Sequence, residues 1–174
     1  MKQSDLLEFY NELIIKQDYF ECHEIMEEAW KRKNPRTKED PEVFLILMAV
    51  GEYHYRRQNV AGAKKSYSKA LKIYEDNPFS LENLGMEESL ISAMISRMEN
   101  MSSAKFKPLH FPLTRHILRR LHETYIHVLS YDGFLNWIRE HQVTDEFIIN
   151  KHLLRDRSQV VQEREAALKK RKHH

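Results

Sequence analysis

Helix breakers are scarce in this chain and fall in only a few places. Its 174 residues include four glycines and five prolines. The prolines are Pro35, Pro41, Pro78, Pro108 and Pro112, so long stretches between them have little to interrupt a helix. Within those stretches apolar side chains recur every three or four positions, the period of one helical face. Strand-type alternation is slight. The pattern predicts an all-α fold.

The first helix carries Leu6, Leu7, Tyr10, Leu13 and Ile14 on one face, with Ser4 as its expected N-cap. Asp18 opens a second helix, and Glu21 completes a start resembling a capping box. That helix ends near Lys33, before Asn34-Pro35. Pro41 sits at the first position of a third helix, whose residues 43–50 are apolar on every side and mark it as central. Asn59 caps a fourth helix, with Ala63, Tyr67, Ala70, Leu71 and Tyr74 on its buried face. Residues 17–31 align with 58–72 in cap, small residue, alanine and large apolar residue. The alignment suggests a repeat, hence a tetratricopeptide-like core of two stacked helical hairpins. Further helices are expected over 86–99, 113–129 and 134–141. Thr144 is expected to cap a last helix running toward Lys172, mostly charged from Arg155 on. The expected organisation is a hairpin core over 6–76, an added helical segment over 77–155 packed on it, and a charged end over 156–174.

The 28 basic and 26 acidic residues nearly cancel, so no overall field attracts nucleic acid. One cysteine excludes an intramolecular disulfide framework and a cysteine-based zinc finger. No apolar run approaches the ~20 residues of a membrane span, and the first ten residues do not read as a signal peptide. A cytoplasmic protein is expected, with neither membrane nor nucleic acid as partner. Glycine-rich phosphate loops, paired-aspartate nuclease patterns and serine elbows are missing from the sequence.

The chemically interesting run is Phe20-Glu21-Cys22-His23-Glu24-Ile25-Met26-Glu27-Glu28-Ala29-Trp30. On a helix His23, Glu27 and Trp30 share a stripe with Phe20 and Met26, a face expected to enter the core. Polar groups buried there must be hydrogen-bonded, paired or metal-bound. The candidate ligands for a divalent ion such as zinc are His23, Glu27 and, from the neighbouring helix, His54, with Glu24 or Glu28 reaching from the rim. The plainer reading is a His–Glu hydrogen bond that joins two helices, with Trp30 packed on it. His54, Arg56 and Arg57 offer an anion site, although basic residues are ordinary at a helix C-terminus. Cys22 aligns with Ala63 and reads as a small buried residue. Glu123 and His127 have the spacing of a helical surface pair, and the terminal His173-His174 is not counted as a site.

His23-x-x-x-Glu27-x-x-Trp30, preceded by Asp18-Tyr19-Phe20-Glu21, resembles the signature of the domain of unknown function 309 family. His54-Tyr55-Arg56-Arg57-Gln58-Asn59 and Gly62-Ala63 resemble its second block, so the likeness covers about residues 6–75. Val43-Phe44 stands where the family usually has a Gln-Gly pair. The resemblance implies a small all-helical protein whose His-x-x-x-Glu-x-x-Trp motif binds metal. Two function classes follow. One is a metal- or small-ligand-binding domain; were it catalytic, Glu27 would be the general base and the ion the Lewis acid. The other is an interaction module with a protein partner, in which the cluster is structural.

Overall fold

The computed structural model describes residues 1–154, 158, 161 and 162. Among these residues the chain forms helices and no strand. Helix α1 (Gln3–Tyr10) passes into a wider π-helical segment (Asn11–Lys16). Then come α2 (Tyr19–Lys31), α3 (Pro41–Arg56) and α4 (Val60–Asp76). A single 3₁₀ turn (Glu82–Leu84) leads to α5 (Ser89–Asn100), α6 (Arg115–Tyr125), α7 (Tyr131–Glu140) and two short turns, α8 (Glu146–Ile149) and α9 (Lys151–Leu154). No described helix is long and apolar enough to cross a membrane.

The first four helices pack in chain order, α1 on α2, α2 on α3 and α3 on α4, and α5 and α6 then cover α4 and α1. Asp18 and Asn59 cap α2 and α4 as expected: each side chain accepts the backbone N–H three residues on, at 2.9 and 3.0 Å. The residues before them, Gln17 and Gln58, both take left-handed backbone, at φ 50° and 63°. The repeat seen in sequence is thus matched by a repeated turn that reverses the chain into α2 and α4.

Several boundaries differ from expectation, each for a local reason. Helix α1 begins before Ser4, because the Asp5 carboxylate accepts the Lys2 N–H at 3.0 Å. Helix α5 begins at Ser89 because Met86 is drawn into a bridge with Leu113, where Glu87 N–H donates to the Pro112 carbonyl at 2.8 Å. Gly85, at φ 77°, makes the turn into that bridge, and a Cβ there would collide with Ile117. Helix α6 stops at Tyr125, where His122 Nε2 meets the Leu129 carbonyl at 2.6 Å. Val128, expected on its buried face, is therefore 84% exposed, and Glu123 and His127 do not share a helix. Asp132-Gly133 lies inside the first turn of α7, since Ser130 Oγ accepts the Gly133 N–H at 3.0 Å. Asp145, not Thr144, caps the next turn. The stretch expected to run charged toward Lys172 lies outside the described residues.

The core runs through α1–α7, and one fully buried carboxylate, Glu52 of α3, sits inside it. Arg97 of α5 grips Glu52 from two nitrogens, Nε to Oε1 at 2.8 Å and Nη2 to Oε2 at 2.6 Å. The Tyr67 hydroxyl of α4 donates to Oε1 at 2.7 Å. The guanidinium lies 4.6 Å from the Tyr55 ring centre and 5.3 Å from that of Phe106. Burial alone would lower the Arg97 pKa, but the charge and hydrogen bonds of Glu52 raise it. Gly51, one residue earlier, lets the Tyr67 ring lie against the α3 backbone; a Cβ there would overlap the ring.

Two predictions follow from these contacts. Arg97→Met leaves Glu52 buried without its cation and should cost roughly 3–5 kcal/mol in urea unfolding, and Glu52→Met added to it should recover a large part. Gln58, exposed in a left-handed conformation, should tolerate glycine with a gain of roughly 0.5–1 kcal/mol. Gln17→Gly, at the same backbone geometry, should lose stability instead. The Gln17 side chain donates to the His141 carbonyl and accepts the Val143 N–H, both at 2.9 Å. Paired denaturation curves would show whether the two signs differ.

Candidate metal centre

Helix α2 buries the line Tyr19, Cys22, Met26 and Ala29. His23, Glu27 and Trp30 lie one position round from it and are half-buried rather than inside, which corrects the expectation that their stripe enters the core. The His23 side chain is 30% exposed and that of Glu27 33%. Both imidazole nitrogens face carboxylates on the same helix: Nδ1 is 3.0 Å from Glu24 Oε1, and Nε2 is 3.5 Å from Glu27 Oε2. Lys31 reaches Glu27 Oε1 at 2.8 Å. Among the described residues, His23, Glu24 and Glu27 form the one group of three whose ligand atoms all lie within 4.8 Å of each other.

His54 stands outside that group, near the end of α3. The rings of Phe20 and Tyr53 come between: Phe20 is 6.1 Å from His23 and 6.1 Å from Tyr53, which is 6.2 Å from His54. Burial, and then the charge of Arg57, lower the His54 pKa. Its neutral ring can accept the Asn59 amide N–H, 3.2 Å from Nδ1. Arg57 lies over the Tyr53 ring at 5.6 Å and donates to Asn150 Oδ1 at 3.2 Å. The Tyr53 hydroxyl meets His152 of α9. Lys151 bridges Asp18 and Glu21, each at 2.7 Å. The second half of the chain thus borders the motif helix through contacts that motif spacing gave no sign of. Cys22 is fully buried, as its alignment with Ala63 suggested, and burial pushes its thiol well up, away from nucleophilic use.

Trp30 has a different job from its neighbours in the motif. Its indole N–H is shared between the Thr37 carbonyl at 2.7 Å and Asp40 Oδ2 at 3.1 Å. Asp40 precedes α3 as its N-cap residue and also pairs with Lys33 at 2.9 Å. Burial would raise the Asp40 pKa, but the Thr37 N–H, Lys33 and Trp30 hold it below its ordinary value. The motif's tryptophan therefore ties the α2–α3 connection to the start of α3.

The family description "domain of unknown function" 309 matches residues 7–66. An uncharacterized protein of Bacillus subtilis (strain 168), YpuF, is 32% identical over 170 residues, covering 95% of this chain and 94% of that protein. The chain belongs to the domain of unknown function 309 family. Because the alignment with that relative spans nearly the whole chain, the region after Pro78, for which the motifs alone gave no counterpart, has one in this family member. No solved structure matches.

Trp30→Phe keeps the ring and removes the shared donor. It should cost about 1–2 kcal/mol, read from thermal or urea unfolding, and leave the far-ultraviolet spectrum unchanged.

Proposed function

We propose that this family member binds a divalent metal ion on the rim of α2, with His23 Nε2 and Glu27 as ligands. Glu24 orients the imidazole through Nδ1 or adds a carboxylate oxygen. The observation that carries the reading is the separation of His23 Nε2 and Glu27 Oε2, 3.5 Å. Two ligands at ~2.1 Å from a tetrahedral zinc ion stand roughly 3.4 Å apart, so the pair needs little movement to close on an ion. The Glu24 contact at Nδ1 supports the same reading, because metal-bound imidazoles are commonly oriented by a carboxylate on their other nitrogen. Nitrogen with carboxylate oxygen suits zinc, manganese or iron, and water would fill the open positions. The Lys31 ammonium opposes a cation at Glu27.

The test is elemental analysis of protein lacking His173-His174, after incubation with zinc or manganese and removal of excess ion. The expected result is near-stoichiometric zinc in the parent and loss of it in His23→Ala and Glu27→Gln, both still folded by circular dichroism. Lys31→Met should bind more tightly than the parent, since it removes the competing charge. Absence of binding in the parent overturns the proposal, and so does undiminished metal in His23→Ala.

A further inference from the structure

A cavity of about 590 Å³ lies between the π-helical segment Asn11–Lys16, the stretch 108–113, α6 and α7. That volume is in the range of small-molecule sites. The side chains of Ile14, Leu109, Leu118, Leu135 and Ile138 pack on the core, yet none of the five is fully buried, and all line this cavity. They come from four separate segments, so this is not the scattered single exposure that any protein surface shows. Apolar surface left to water costs about 25 cal/mol per Å², and a chain that covered it would recover that. One wall is π-helical, a conformation that is rare and recurs at functional sites.

The polar groups of the cavity carry one sign of charge. Neither aspartate nor glutamate is among its lining residues. The Gln17 amide is engaged by the His141 carbonyl and the Val143 N–H. That leaves His110 and Arg139, both exposed and therefore within reach of a ligand. Arg139 Nη1 donates to the neutral Asn136 amide at 3.2 Å, and no ion pair among the described residues neutralises the guanidinium. The His110 imidazole offers an N–H in either tautomer. The surrounding sequence has the same sign: no acid falls between Glu99 and Glu123, an interval that holds Lys105, Lys107, Arg115, Arg119 and Arg120 and supplies the 108–113 and α6 walls. A positive field beside apolar walls gathers anions. One guanidinium balances one negative charge and its planar fork matches two oxygens, which suits a carboxylate better than a phosphate group of nearly two charges.

We propose that this cavity binds a single-chain aliphatic carboxylate, its chain against Ile14, Leu118, Leu135 and Ile138 and its head group at Arg139 and His110. Burial of the chain supplies the affinity, and the cation at the mouth selects the charge of the head. The site shares no residue with the α2 rim, and its occupancy does not depend on a metal.

The test follows the isoleucine δ1-methyl resonances of the full chain by NMR during titration with octanoate. Octanol, acetate and octyl phosphate serve as comparison probes. Ile14 and Ile138 are assigned by the peak lost in Ile14→Val and in Ile138→Val. Octanoate should shift both resonances saturably and leave that of Ile95, exposed on α5, in place. Acetate, a head group without a chain, should shift neither. Octanol should bind roughly three- to fivefold more weakly than octanoate, and Arg139→Gln should weaken octanoate by the same factor without changing octanol. Arg139 is exposed and its hydrogen bond is to Asn136, so this variant keeps the fold. Ile14 and Ile138 resonances that stay in place throughout the octanoate titration overturn the proposal. Octanol binding as tightly as octanoate, octyl phosphate binding more tightly, or undiminished octanoate binding in Arg139→Gln overturns it as well.

Discussion

The arrangement of this protein turns on a carboxylate with no access to water. Glu52 is fully buried on α3 and draws one partner from α4, Tyr67, and one from α5, Arg97. A buried charge of this kind adds little net stability over an apolar replacement, but it discriminates strongly against any arrangement that separates it from its cation. Arg97 also donates to the Lys107 carbonyl at 2.6 Å, so the same guanidinium positions the loop that precedes α6. The third helix is central because residues 43–50 are apolar on every side, and Glu52, its one fully enclosed charge, ties α4 and α5 to it.

Around that centre the α2 cluster and Arg56 lie at different depths. The α2 cluster is half-buried on a rim, where water can complete a coordination shell and where neighbouring charges such as Lys31 compete. Arg56 is nearly enclosed, beneath the turn formed by Gln17. Their chemistry differs accordingly: carboxylates and imidazole gathered near solvent suit a cation, whereas the Arg56 guanidinium is directed at the Gln17 carbonyl and the Tyr19 ring.

Much of the helical layout was legible in the sequence, because capping residues and periodic apolar faces are local signals. Asp18, Asn59 and Pro41 begin their helices where their chemistry dictates. The rotation of α2 was not legible. Both the Tyr19–Cys22–Met26 line and the adjacent Phe20–His23–Glu27 line carry apolar residues, and periodicity cannot choose between lines one residue apart. Only packing against α3 decides, and it takes the first. Glu52 was the better example of an acid on an apolar line, but its cation lies 45 residues on, beyond the reach of any spacing rule. Arg56 stood in plain view within a basic run at a helix end, where such residues are usually solvated. Its enclosure depends on residues after 100, whose placement the motifs did not foretell.

The Gln17 turn has a consequence for how the chain comes together. Its side chain holds residues 124 and 126 positions further on, and Lys151 reaches Asp18 across 133. Contacts this distant in sequence carry a large loop-closure entropy and form after local ones. During synthesis the first four helices therefore emerge with the Gln17 turn bare and Glu52 without its cation. The early hairpins can gather by local contacts, but Glu52 waits for Arg97 and the Gln17 turn waits for the last third of the chain. The order in which the protein is made is thus not the order in which it is finished.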